Sequence, residues 1–282
     1  MKLGVTIFAT DQAIAPHQLA RAAEERGFAS LYVPEHTHIP TSRRTPPPTG
    51  EPVLPEEYKR TLDPFVALAA AASVTSRIRL GTAVCLVAQR DPIVLAKEVA
   101  TLDLLSRGRF VFGVGFGWNR EEMEHHGVDF GKRRELVREK ILAMERLWSD
   151  ERASFKGDFV RFEESWSWPK PVQRPRPPIL FGGGGGPKLF RHVAEYGDGW
   201  MPIGGSGLGA ALPKLRHAMQ EAGRESARLE IVVLGAIPNP GKLEHCAAIG
   251  VTEVAFRIPS APAGEALAAL DEYARIAERF TS

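Results

Sequence analysis

IRLGTAVCLVAQRDPIVLAKEVATLDLLSRGRFVFGVGF, residues 78–116, holds two short apolar runs on either side of one helical pattern. The flanking runs, IRLGTAVCLV (78–87) and FVFGVGF (110–116), have the length and the β-branched and aromatic content of buried strands. Between them, DPIVLAKEVATLDLLS (91–106) opens on an aspartate that can cap a helix and a proline that suits its first turn. The stretch therefore predicts strand, helix, strand. The same unit recurs outward in both directions. LGVTIFA (3–9) precedes a helix over 16–26 closed by Gly27, SLYVPEH (30–36) follows, and DPFVALAAAASVT repeats the Asp-Pro start at Asp63 and Pro64. Downstream come a long charged helix at about 130–149, ILFGG with a helix over 187–196, and GWMPI with a helix over 208–222. LEIVVLGAI with a helix over 241–249, then EVAFRI with a helix over 264–280, complete the chain. The last helix places Leu267, Leu270, Tyr273, Ala274, Ala277 and Phe280 on one stripe, as an outer-ring helix requires. Roughly eight β–α pairs predict an α/β fold, a (β/α)8 TIM barrel. It is a single domain over residues 1–282, with insertions at about 37–60 and 155–178. A doubly wound open sheet, the rival, has fewer strands and at this length needs a second domain.

Composition narrows the function classes. The chain is 44% hydrophobic and 25% charged, ordinary for a globular protein with a sizeable core. Its 36 basic and 34 acidic side chains leave a net charge of +2, which gives no electrostatic case for nucleic acid or an anionic membrane. Cys85 and Cys246 are the only cysteines and lack CxxC spacing, so neither a zinc site nor a disulfide framework is expected, and a cytoplasmic setting is. The first residues, MKLGVTIFATDQ, are too short an apolar stretch for a signal sequence, and no later run approaches a membrane span.

In such barrels chemistry gathers at the C-terminal ends of the strands. At one of these ends stands FGGGGGPKLF (181–190), five glycines between a strand and a helix. Free backbone N–H groups and the helix dipole there suit an anion. GK[ST] does not follow, so it is no P-loop, and GxGxxG fails in every register; GSGLGA (205–210) fits GxGxxA without an acidic partner. A phosphate-bearing ligand is expected. VPEHTHIP (33–40) puts Glu35, His36 and His38 after the second strand. HxH also occurs in metal-dependent barrel hydrolases, but the remaining histidines fall in helices or beside them, and no metal is expected. GTAVCLV (81–87) and GVGFGWN (113–119) bring more small residues to two neighbouring strand ends, as either barrel packing or a ligand against the main chain would require. Together with 182–186 they suit a flat ring with a phosphate, that is, a flavin.

The chain resembles the bacterial luciferase-like superfamily of TIM barrels, most closely its deazaflavin (coenzyme F420)-dependent oxidoreductase branch. The resemblance spans about residues 3–202 and rests on SLYVPEH, DPFVALAAAASVTSRIRLGTAV, PPILFGGGG, YGDGWMP and above all TLDLLSRGRFVFGVGFGWN (101–119). It implies that His36 is the active-site histidine near the hydride-exchanging carbon, with Glu35 beside it to orient the imidazole. It implies that Ala83 and Val84 form a bulge, often a non-proline cis peptide, that supports the ring. Asn119 would bond the ring's polar edge, and Gly182, Gly183 and Gly184 would lie against the phosphate-bearing chain. Sugar-phosphate dehydrogenases of this branch carry a glutamate acid where this chain has Phe116, which points instead to a less charged, more hydrophobic substrate. The expected activity is hydride transfer between F420 and a small organic substrate. The alternatives are an FMN-dependent two-component monooxygenase and a flavin-binding protein without catalysis. A flavin or F420 reductase and a second copy of the chain, in a homodimer with DLLSRGRF at its face, are the partners implied. The proline-rich 37–60 segment is expected to cover the substrate side, with Arg43 and Arg44 either holding an anion or solvated, and Arg257 a similar candidate. Trp118, Trp166, Trp168 and Trp200 belong either to the pocket or to the core.

Overall fold

The computed structural model describes residues 1–42, 44–47, 53–225 and 227–281. Eight parallel strands close a barrel in sequence order: β1 (Lys2–Thr6), β2 (Ser30–Val33), β3 (Arg79–Thr82), β4 (Phe110–Val114), β7 (Ile179–Gly182), β8 (Gly199–Met201), β9 (Glu230–Ala236) and β10 (Glu253–Arg257). Closure is made by β1 on β10, in register from Lys2↔Glu253 to Thr6↔Arg257. The helices α1 (Pro16–Glu25), α2 (Pro64–Ser73), α3 (Pro92–Leu105), α5 (Arg133–Ser149), α6 (Pro187–Tyr196), α7 (Leu208–Glu221), α8 (Pro240–Ala248) and α9 (Ala263–Thr281) accompany the strands, so the (β/α)8 expectation stands. Both Asp-Pro starts act as read. Asp63 accepts from the amides of Phe65 and Val66, and Asp91 from those of Ile93 and Val94, all at 2.9–3.0 Å.

Strand alternation sorts the side chains into two cores. Outward residues such as Leu31, Phe110, Phe112, Phe181 and Phe256 pack beneath the helices. Inward residues Tyr32, Val111, Leu180, Met201, Val232 and Ala255 fill the lumen. Below them the barrel is closed by a polar layer, where Arg79 donates to Glu230 at 2.8 Å, lies 3.5 Å from Glu253, and Ser30 donates to Glu253. A barrel filled from below leaves only its C-terminal mouth open to a ligand.

Two elements depart from the sequence reading. The second insertion begins two residues earlier than expected, because Ala153–Lys156 (β5) pairs antiparallel with Arg161–Ser165 (β6) as a hairpin outside the barrel. A six-residue helix, α4 (Arg120–His125), also stands between β4 and α5. It is too short to show an apolar period, and its start is set by Asn119, whose side-chain oxygen accepts from Glu122 N at 3.3 Å.

Candidate active site

The mouth holds a cleft of about 290 Å³ whose walls come from the loops after β1, β2, β3, β4, β7, β8 and β9. Its floor is built around one residue. The Ala83–Val84 peptide, at the position where the resemblance implies a bulge, is cis, and both residues line the cleft. The two methyls of Val84 occupy the space that side chains would need on either side. A Cβ on Gly115 would fall 2.2 Å from Cγ2, and one on Gly182 would fall 2.4 Å from Cγ1. The glycines at the ends of β4 and β7 are thus seats for Val84. The polyglycine run divides in the same way. Gly183 has a φ of +127°, a Cβ on Gly185 would fall 2.9 Å from the Trp200 ring, and Gly184 has no protein atom within 4 Å of its would-be Cβ. Gly182, Gly183 and Gly184 line the cleft, and of these three Gly184 alone has neither a crowding neighbour nor a left-handed φ to account for its missing side chain.

Opposite the glycines lies His36, with a side chain only 6% exposed. Its Nδ1 is 2.8 Å from Glu122 Oε2, while Glu122 Oε1 accepts from Thr37 N at 3.3 Å. Tyr58, in the short 3₁₀ turn Glu56–Lys59, and Trp118 stand against the imidazole with centroids at 5.4 and 5.7 Å. The acid on the imidazole is therefore Glu122. Glu35, expected in that role, lines the cleft but spends its carboxylate elsewhere, accepting from Leu86 N and Arg90 Nε at 2.7 Å each. Residue 35 precedes His36 in an extended segment, where successive side chains diverge. Glu35 consequently anchors the loop that carries Val84 and leaves the imidazole to α4.

At the other end, α5 begins with Arg133 and Arg134, both lining the cleft. Arg133 stacks 3.7 Å over Phe130 and Arg134 4.2 Å over Phe116. Arg133 Nε and Arg134 Nη1 are buried without a hydrogen-bond partner, and neither arginine forms a carboxylate ion pair among the described residues. Burial, then Arg134 and Arg120, hold the Arg133 guanidinium below its ordinary range, and burial does the same to Arg134. Half-buried cations with no carboxylate on them suit an anion. Phe116 itself is clamped between Arg134, Phe181 (centroids 5.7 Å, nearly parallel) and His192 (4.7 Å).

The other expected residues divide between the site and its frame. Trp118 lines the cleft, and Trp200 lies under the glycine run, its Nε1 donating to Gly183 O at 2.8 Å. Trp166 and Trp168 are exposed beyond the hairpin. Asn119 is buried one residue behind the cleft wall. Its oxygen is taken up in capping α4, and its Nδ2 is buried without a partner. Arg43 lies outside the described residues. Arg44 is held on α4 by Glu121, and Arg257 by Glu57 of the covering segment. From 37–60 the cleft receives Tyr58, and Thr61 Oγ1, just beyond, donates to His36 O at 2.8 Å. His38, His125 and His126 join at the rim, with His38 Nε2 2.9 Å from His125 Nδ1 and His126 Nε2 2.7 Å from Thr37 Oγ1. Among the described residues no cluster of histidine, cysteine or acidic side chains has metal-holding geometry, and no helix is long and apolar enough to cross a membrane. Sequence reasoning missed Glu122, Tyr58, Arg133 and Arg134. The doublet RR after a glycine turn was the one visible signal.

The chain is a closed parallel barrel with a cleft at its C-terminal mouth, and comparison with known proteins gives its family. Residues 10–238 match the luciferase-like monooxygenase family, and the chain belongs to it. It is 47% identical over 277 residues to an uncharacterized protein of Mycobacterium tuberculosis, covering 97% of this chain and 98% of that one. It is 29% identical over 249 residues to the F420-dependent glucose-6-phosphate dehydrogenase of Kineococcus radiotolerans, covering 82% and 66%. Among solved structures, the monooxygenase RslO1 from Streptomyces bottropensis superimposes with a TM-score of 0.81 at 21% identity over 100% of both chains. An F420-dependent secondary alcohol dehydrogenase does so at 0.76 and 19%, over 98% of both.

The packing predicts unequal glycines. Gly182→Ala and Gly115→Ala should each destabilise the fold by about 1–3 kcal/mol through overpacking against Val84, whereas Gly184→Ala should stay within about 0.5 kcal/mol of wild type; chemical denaturation compares the three. Burial first, and then Arg134, push the His192 imidazole down to about 4. Between pH 6.5 and 4 the unfolded chain therefore takes up this proton before the folded one, and stability falls as pH drops through that window. His192→Gln should flatten the fall, measured as Tm against pH.

Proposed function

We propose that this protein is an F420-dependent oxidoreductase that transfers hydride between the deazaflavin and a small, largely apolar organic substrate. The observation that supports it most is the order of groups along one cleft. A side-chain-poor floor of Val84, Gly115 and Gly182 separates a carboxylate-paired imidazole from two unneutralised arginines. A flat ring with an anionic tail matches that order. The orphaned Arg133 and Arg134 nitrogens and the open main chain at Gly183 and Gly184 would hold the phosphate, and the buried Asn119 Nδ2 is a donor left for the ring's polar edge. When bound, the coenzyme supplies the carbon that accepts or releases hydride. The chain's own part is to hold the proton that accompanies transfer on His36, and to exclude water with Tyr58 and Trp118. Phe116 offers the substrate an apolar wall and no proton. A reductase supplying reduced coenzyme is the partner proposed with this reading, and the cytosol its setting.

Titration with F420 and with FMN, read by quenching of tryptophan fluorescence, is the direct test. Tight binding of F420 with hydride exchange and no oxygen consumption is expected. Exclusive binding of FMN with oxygen uptake would overturn the coenzyme, and binding without turnover over a broad substrate panel would overturn the enzyme. His36→Ala should lower kcat about 10²–10⁴-fold with the coenzyme Kd little changed. Gly184→Ala should weaken coenzyme binding without lowering stability.

The homodimer is proposed on a separate feature. The α2–α3 face is apolar outward as well as inward, leaving Val66, Ile93, Val94, Leu104 and Leu105 exposed around a groove edged by Asp63, Lys97 and Glu98. Those charges of both signs let the face pair with a second copy of itself. Sedimentation should report twice the 30.9 kDa chain mass, and Val94→Lys with Leu105→Lys should return it to the single mass without loss of fold.

A further inference from the structure

Resting on the role proposed for His36, we infer that Glu122 is a positioning residue that selects the imidazole tautomer carrying its proton on Nδ1, so that Nε2 faces the cleft as an acceptor. The carboxylate of Glu122 is 1% exposed, and its two oxygens have separate tasks: Oε2 meets His36 Nδ1 at 2.8 Å and Oε1 takes the amide of Thr37 at 3.3 Å. Thr37 N can only donate, which fixes Oε1 as an acceptor. An ionised carboxylate has nothing to donate through Oε2 either, so the proton in the contact belongs to Nδ1. The contacts around the imidazole favour this orientation. Tyr58 and Trp118 hold its ring from two sides, and Thr61 pins the His36 carbonyl at 2.8 Å. Glu122 is itself placed by the Asn119 cap, which orders the first turn of α4. A neutral His36 therefore presents a lone pair to the cleft. On taking up a proton from a ligand it becomes an imidazolium whose Nδ1–H already points at a buried carboxylate.

The isosteric variant Glu122→Gln tests the assignment because a carboxamide has one acceptor and one donor end. Thr37 N demands the oxygen, which turns the NH₂ toward Nδ1 and forces the proton to Nε2, the wrong-tautomer effect known from hydrolase triads. Protein labelled with ¹⁵N-histidine is read by two-bond ¹H–¹⁵N correlation without any coenzyme, with His36 assigned by the signal lost in His36→Gln. Wild type should show His36 protonated at Nδ1, and Glu122→Gln should show it at Nε2 with thermal stability nearly unchanged. In turnover the same variant should lose about 10²–10⁴ in kcat, with the coenzyme Kd within a few fold. An Nε2–H tautomer in wild type, or an unmoved one in Glu122→Gln, overturns the inference. A switched tautomer with unchanged kcat keeps the placement of Glu122 and overturns the role given to His36.

Discussion

The mouth of this barrel is organised by the fit of Val84 between two glycines. Its isopropyl group stands where the strand ends of β4 and β7 would otherwise carry side chains, and those ends come close because Gly115 and Gly182 have none. The same contact brings Phe116, Trp118 and the polyglycine run to one cleft. Beneath, the lumen residues and the Arg79–Glu230–Glu253 layer make the barrel a filled cylinder, so the bulge rests on packed side chains. Close packing transmits any change of volume at Val84 to both neighbouring strand ends. A ligand-facing surface made of main chain is in this sense a consequence of core packing.

Around that floor the charges are segregated. Carboxylates gather on the His36 side, where Glu35 is neutralised by Arg90 and two acids of α4, Glu121 and Glu122, hold the segment that follows β2. On the opposite side Arg133 and Arg134 have aromatic faces beneath them and no acid on them among the described residues. Stacking on Phe130 and Phe116 stabilises the guanidinium planes while leaving Arg133 Nε and Arg134 Nη1 without a hydrogen-bond partner in the protein. The arrangement keeps the pairing groups of each sign apart, so that neither set cancels the other.

Much of the fold could be read from the chain because it is written in local signals. The strand runs, both Asp-Pro caps and the stripe of α9 each follow from a few neighbouring residues, and eight of them in alternation leave few architectures. The lining of the candidate cleft was legible where strand ends carry it, at His36, Ala83, Val84 and Gly182 to Gly184. It was not legible where two distant segments meet. Glu35 adjoins His36 in sequence and so looked like its partner, while Glu122 reaches the ring across 86 positions from a helix too short to announce itself. Tyr58 arrives on an insertion without periodicity. Asn119 shows the same limit in another form, since its oxygen caps α4 before it can serve a ligand.

Phe116 and the arginine stacked on it, Arg134, are one feature of the cleft wall. A carboxylate there would lie next to the Arg134 guanidinium, pair with it, and bring its own charge into a site already lined by Glu35. Phenylalanine instead offers a face 4.2 Å from the guanidinium carbon, fixed from behind by Phe181 and His192. Burial first, and then the Arg134 charge, hold the His192 imidazole down to about 4, so it brings no second cation beside Arg134 at neutral pH. At position 116 the cleft wall is thereby an aromatic face, and Arg134 keeps no carboxylate on it among the described residues. The positive charge of the cleft is thus concentrated at the start of α5, above aromatic faces.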